Sequence, residues 1–156
     1  MSLMRRTRQR LGGDGGSAVV EFVTLGVLLL VPVVYLVVSI GRVQAAAFAV
    51  EGASREAARL VASAPDDETG SRRAATAVAL ALSDQGFGRA GDPDPDVTVV
   101  CSTTPCTQPE TLVRVVVRLD VVLPGVPGFL DGAIPTRVPV QAEGVAVVDR
   151  FADAAP

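Results

Sequence analysis

Hydrophobic residues are concentrated near the N-terminus of the chain. The stretch 22–40 (FVTLGVLLLVPVVYLVVSI) runs for 19 residues without a charged side chain. As an α-helix this stretch would rise roughly 28 Å, which is about the thickness of the hydrocarbon core of a bilayer. A chain of 156 residues is too small to cover such a helix on all sides within a soluble core. The pattern therefore predicts a transmembrane helix over residues 17–41.

Pro32 lies near the middle of this predicted span. Because proline has no backbone N–H and its ring crowds the preceding turn, it removes one helix hydrogen bond. Sharp bends in helices usually have a cause of this kind. We therefore expect the transmembrane helix to be kinked at Pro32.

Charge is distributed unevenly on the two sides of the span. Residues 1–16 carry four arginines and one aspartate, a net charge of +3, whereas residues 17–156 carry ten arginines and sixteen acids, a net charge of −6. Because positively charged flanks remain in the cytoplasm, we expect residues 1–16 to form a basic cytoplasmic leader and residues 42–156 an extracytoplasmic domain. This topology predicts a single-pass protein of the cell membrane. The acidic body has no basic stripe, which argues against nucleic acid as a partner.

Beyond the span, the helix is predicted to continue to about Ala64, just before a proline. Small apolar residues recur in this part at three- and four-residue spacing and would form one apolar face. That face could pack on the protein's own sheet or on another subunit. Charged residues at helical spacing predict two ion pairs, Glu51–Arg55 and Glu56–Arg59.

The remainder of the sequence predicts a turn, a second helix and three strands. The turn covers residues 65–70, and Ser71 is expected to cap a helix that runs to about Gln85. Strands are expected at 97–101, 111–123 and 136–149. In the second strand one face is wholly apolar and the other is mixed, as a sheet packed on a helix requires. We therefore expect an α+β fold, with a long N-terminal transmembrane helix that continues into a small domain with a second helix and a three-stranded antiparallel sheet.

The link between the last two strands, residues 124–135, is rich in proline and glycine. It also carries three apolar side chains, Phe129, Leu130 and Ile134. These side chains could contact the core of the domain, another subunit or the bilayer. Contact with the domain's own core is the preferred interpretation.

Cys101 and Cys106 are the two cysteines of the chain. Their spacing could close a small loop through a disulfide, which an oxidising extracytoplasmic compartment would favour. The alternative, a metal or redox site, would need further ligands, and the chain has no histidine. Three aspartates at alternate positions, Asp92, Asp94 and Asp96, resemble a calcium loop, but the glycine and glutamate of an EF-hand are missing. We expect no metal and no cofactor.

The junction before the span carries the most informative pattern. It reads Gly15-Gly16-Ser17-Ala18-Val19-Val20-Glu21-Phe22. A short basic leader, a glycine and a helix whose fifth residue is a glutamate followed by an aromatic residue resemble prepilin-type leaders. Together with Val50-Glu51-Gly52-Ala53-Ser54-Arg55-Glu56-Ala57-Ala58-Arg59, the junction is similar to the TadE-like pilins of tight-adherence (Tad) systems. The resemblance covers roughly residues 12–62.

This resemblance implies specific roles for the junction. A membrane-embedded prepilin peptidase would cut between Gly16 and Ser17, where glycine leaves the backbone unshielded. Glu21, followed by Phe22, would pair with the new N-terminal amine of a neighbouring subunit during assembly. A carboxylate at the membrane edge needs such a partner, because an unpaired charge there costs free energy.

The resemblance also implies a function and partners. The chain is expected to be a minor pilin-like subunit or assembly factor, since 140 residues follow Gly16 and bulk Tad pilins are very short after processing. The expected partners are the lipid bilayer, the prepilin peptidase, other pilin-like subunits and the Tad secretion machinery. The expected location is the cell membrane or a surface filament.

Enzyme activity is not expected, because without histidine no Ser-His or Cys-His dyad can form. Two alternative functions remain open. The chain could be a secreted binding domain whose signal peptide ends at Ala47, after the Ala-x-Ala pattern that begins at Ala45. It could also be a binding domain on an uncleaved membrane anchor.

Overall fold

A computed structural model describes residues 15–89, 92–125 and 136–151. It contains two helices and three strands, in the order α1 (Gly15–Ala62), α2 (Asp67–Asp84), β1 (Asp96–Cys101), β2 (Leu112–Val122) and β3 (Arg137–Val147). The expected α+β fold is therefore confirmed, and each strand lies within one or two residues of its predicted bounds. Residues 1–14 of the predicted leader lie outside the described residues. So do the apolar residues of the link, Phe129, Leu130 and Ile134.

The chain forms two compact units, one up to Val38 and one from Ser39 onward. The first unit is the N-terminal part of α1. Its apolar side chains from Val19 to Val38 are all exposed. The helix continues through Pro32 without interruption, so the kink expected there stays a prediction.

The second unit is built on an antiparallel sheet with the strand order β1-β2-β3. Val115 of the central strand lies opposite Val99 of β1 and Gly144 of β3. Burial alternates along β2, since its apolar face is buried and the opposite face is largely exposed. This confirms the predicted two-sided strand. The buried face consists of Val113, Val115, Val117, Leu119 and Val121.

The C-terminal part of α1 packs on this sheet with its small apolar face. Ala46, Val50, Ala53 and Ala57 are each no more than 2% exposed and belong to the core of the second unit. Of the two partners that the sequence left open for this face, the structure selects the protein's own sheet. Burial of small side chains removes apolar surface from water and lets the backbones approach closely.

The predicted start of α2 is wrong. The helix begins at Asp67, and its N-cap is Asp66 rather than Ser71. The Asp66 carboxylate accepts a hydrogen bond from the Thr69 backbone N–H at 2.7 Å and another from the Thr69 hydroxyl at 3.0 Å. The first of these bonds satisfies a backbone N–H that a helix start otherwise leaves unpaired. The backbone bond is the main cause that holds the pKa of Asp66 below its ordinary value.

Candidate membrane-anchor and assembly segment

The predicted processing site lies at the start of α1. The helix begins at Gly15, so the backbone of Gly16 and Ser17 belongs to its first turn. The first turn lacks internal partners for its N–H groups and frays readily. Glycine has low helix propensity, which lowers the cost of extending this turn into a protease cleft. A cut between Gly16 and Ser17 therefore requires local unwinding at a position where unwinding is inexpensive.

Glu21 and Phe22 follow on the second turn of α1. Both side chains are exposed, and the Phe22 ring is 78% exposed. Within the part of the chain that the structure describes, Glu21 forms no ion pair. The hydroxyl of the neighbouring Thr24 is satisfied, since it donates to the Val20 carbonyl at 2.7 Å. The arrangement presents one carboxylate on an otherwise apolar helix surface, where an external cation can approach it.

The apolar stretch after Glu21 forms a helix that is long and apolar enough to cross a membrane. The part of α1 from Ala18 to Ala62 contains a window with a mean hydropathy of 2.7. Its large side chains are exposed, as expected for a surface that faces lipid rather than a protein core. A signal sequence near an N-terminus meets the same criteria of length and hydropathy. Among the described residues, this helix suggests single-pass membrane anchoring.

Arg42 joins the first turns of the second unit to the sheet. Its Nε donates a hydrogen bond to the Val122 carbonyl at 3.1 Å, at the end of β2. Its guanidinium also lies over the Phe87 ring, 5.2 Å from the centroid. A cation over an aromatic face is attracted by the ring quadrupole. The local sequence gives no signal for these contacts, because neither partner is close to Arg42 in the chain.

Beyond Arg42, the predicted ion pairs on α1 are present. Arg55 pairs with Glu51, and Arg59 lies 3.6 Å from Glu56. All four side chains are largely exposed, so the pairs stabilise the helix by only a few tenths of a kcal/mol.

The cysteines form the predicted disulfide between Cys101 and Cys106. The loop that they close is tied to the start of α2, because the Cys106 N–H donates to the Asp67 carboxylate at 2.9 Å. Thr103, inside this loop, shares a hydrogen bond of 2.6 Å with the hydroxyl of Thr111, which precedes β2. The cysteines therefore staple a loop.

The aspartates that resembled a calcium loop do not converge. Asp92 accepts a hydrogen bond from the Arg89 N–H at 3.1 Å, and Asp96 lies 3.6 Å from the Arg118 guanidinium. Among the described residues, no group of three or more acidic, cysteine or histidine side chains is placed to hold a metal ion.

Taken together, the fold and the segment define a class of protein: an α+β domain on a long helix that suggests single-pass membrane anchoring. A family model described as TadE-like protein matches residues 16–59. The resemblance to the TadE-like family is therefore confirmed over that segment. No curated protein matches the chain, and no solved structure matches it.

The family match indicates a component associated with a Tad pilus. It implies association with pilus subunits and with the Tad machinery. The TadE-like family consists of structural pilus components and is not a known enzyme family. The matched residues run from Gly16, at the predicted cut, to Arg59, in the part of α1 that packs on the sheet.

Proposed function

We propose that the chain is a minor pilin-like subunit or assembly factor of a Tad-type pilus, processed by a prepilin peptidase between Gly16 and Ser17. One observation carries this proposal. The family match begins at Gly16 and includes Glu21, Phe22 and the whole apolar stretch. The match thus covers the residues to which processing and assembly are assigned.

The proposed topology has three parts: a basic cytoplasmic leader (1–16), a transmembrane helix (17–41) and an extracytoplasmic domain (42–156). Two features support it. The arginines crowd the N-terminal flank of the helix, which favours a cytoplasmic N-terminus. The disulfide between Cys101 and Cys106 suits a domain in an oxidising compartment outside the membrane.

The proposed role of Glu21 is to pair with the N-terminal amine that cleavage exposes on a neighbouring subunit. A pair of opposite charges in a medium of low dielectric constant is strongly favoured over either charge alone. The exposed position of Glu21 on α1 permits this approach. Such a pair would fix the register between adjacent helices in the lipid bilayer.

The folded domain weighs against the secreted alternative. A cut after Ala47 would fall inside α1, next to Ala46 and Ala49, which are buried in the core. It would also detach Arg42 from the chain, together with its contacts to Val122 and Phe87. Signal peptides are removed from the protein that folds, whereas here the segment before the cut contributes to the core.

The test is the intact mass and the N-terminal residue of the chain, expressed with its peptidase and recovered from the membrane. We expect a chain that starts at Ser17. Gly16→Ala should leave an uncut precursor, and the matched control Gly15→Ala should be processed normally. A start at Phe48 would establish the secreted alternative, and an uncut wild-type chain would establish the plain anchor.

A further inference from the structure

An apolar groove lies in the second unit, at the end where its part of α1 begins. The groove has a volume of about 280 Å³. Its walls come from the first turns of this part of α1 and from the facing ends of β2 and β3, and none of them is charged. The lining residues are Ser39, Ile40, Val43, Gln44, Leu123 and Val138.

Two residues of the groove belong to the uncharged stretch of the sequence. Ser39 and Ile40 are the last two residues of the uncharged stretch 22–40, and Ile40 is 48% exposed. Because a helix of this length matches the hydrocarbon core, the residues at its end lie at the depth of the glycerol and ester groups. The nearby charge of Arg42 is directed elsewhere, towards the Val122 carbonyl and the Phe87 ring.

The lining of the groove points to the chemistry of its occupant. The Ser39 hydroxyl is buried, so the surface that faces an occupant is apolar. Such a surface favours an apolar occupant, because covering it removes apolar area from water. At the end of a helix that spans a bilayer, a lipid acyl chain is the apolar group that lies close by.

We propose that this groove binds a phospholipid of the adjacent leaflet, with an acyl chain against Ile40, Val43 and Val138. The inference rests on the proposed function, since it requires that α1 spans the bilayer. Its consequence is that the lipid contacts residues of the extracytoplasmic domain as well as the apolar stretch. The lipid would cover apolar surface that otherwise faces water.

Tryptophan quenching tests this directly, because the chain has no tryptophan of its own. Val138→Trp places a probe in the groove, and Val147→Trp places the control at the other end of the same strand, about 30 Å away. The full-length variants would be reconstituted in phosphatidylcholine vesicles with acyl chains brominated near the ester group. We expect Val138→Trp to lose most of its emission and Val147→Trp to keep it.

A second groove probe, Gln44→Trp, guards against misfolding of Val138→Trp, since Gln44 is exposed on the helix. It should be quenched as well. Leu36→Trp is the control for the span, because Leu36 is exposed and lies near the end of the apolar stretch, close to the depth of the bromines. If both groove probes are unquenched while Leu36→Trp is quenched, the span is right and the lipid site is wrong. If Leu36→Trp is also unquenched, the membrane anchor itself fails. The groove could instead be filled by a second copy of the chain. In that case the tryptophan emission of the groove variants would be insensitive to bromine and would change with the protein-to-lipid ratio, and the proposal would be overturned.

Discussion

Gly144 of β3 lies directly against the backbone of Ser54 in α1. A Cβ atom on Gly144 would overlap the Ser54 carbonyl and would lie 2.5 Å from the Arg55 backbone nitrogen. The neighbouring atoms are backbone, which cannot move aside as the tip of a side chain can. The approach therefore depends on glycine at this position, and it sets the distance between the helix and the sheet.

We predict that Gly144→Ala destabilises the protein by about 3 kcal/mol, the upper end of the usual cost of overpacking. The matched control is Gly52→Ala. Gly52 lies on α1, the helix that contains Ser54, and a Cβ atom added there meets nothing within 4 Å. That change should stabilise the protein by up to about 1 kcal/mol, since alanine is the better helix former. Urea unfolding of the full-length chain in detergent would measure both. Equal stability of the two variants would contradict the close approach.

Arg42 provides the second prediction. Arg42→Lys keeps the charge but loses the Nε that donates to the Val122 carbonyl and the flat group over Phe87. We expect a loss of about 2 kcal/mol in the free energy of unfolding, the usual value for a hydrogen bond from a charged donor. Arg55→Lys is the control, because Arg55 is 69% exposed and pairs only within its helix. Unfolding should be followed by circular dichroism, and an unchanged Arg42→Lys would show that Arg42 does not hold the sheet.

Asp66 predicts a dependence of stability on pH. Its folded-state pKa lies below the ordinary value, chiefly because of the backbone hydrogen bond from Thr69. The charged cap therefore stabilises the fold above the unfolded-state pKa of about 4, and this contribution is lost as the pH falls through the lower folded-state pKa.

The variant Asp66→Asn isolates this effect, because it keeps an acceptor oxygen but does not titrate. Its melting temperature should lie below that of the wild type near neutral pH, and the difference should shrink at a pH of about 3. Thermal melts at the two pH values measure it. A difference that is constant with pH would remove the charge of Asp66 from the explanation.

The fourth prediction concerns Glu21. Glu21→Ala should still be cut after Gly16, but its recovery in sheared surface filaments should fall by roughly tenfold, which corresponds to about 1.4 kcal/mol. Glu21→Gln keeps the size of the side chain and should show the same defect, because the charge is lost. Thr24→Ala, one turn away on the same exposed helix, should assemble normally. Normal filament content of Glu21→Gln would remove the charge-pairing role.

Local patterns were sufficient for most of the fold. The bounds of the strands and the end of α1 follow from hydrophobic periodicity and from prolines, which act within a few residues. The start of α2 was missed although its signal was present: Asp66 is followed by two acids that favour a helix N-terminus. Several side chains along this stretch can cap a helix. The structure shows that Asp66 is the cap, because its carboxylate accepts hydrogen bonds from Thr69.

The sequence by itself determined the long apolar helix, the TadE-like segment and the strand-rich second half, because these depend on composition and short spacing. Tertiary structure alone decided that the small apolar face of α1 packs on the protein's own sheet. It also decided which groups Arg42 contacts and why residue 144 must be a glycine. Ser54 and Gly144 are 90 positions apart, and Arg42 and Val122 are 80 apart. No local pattern encodes such contacts, since they arise only when the helix packs on the sheet and distant backbone groups meet.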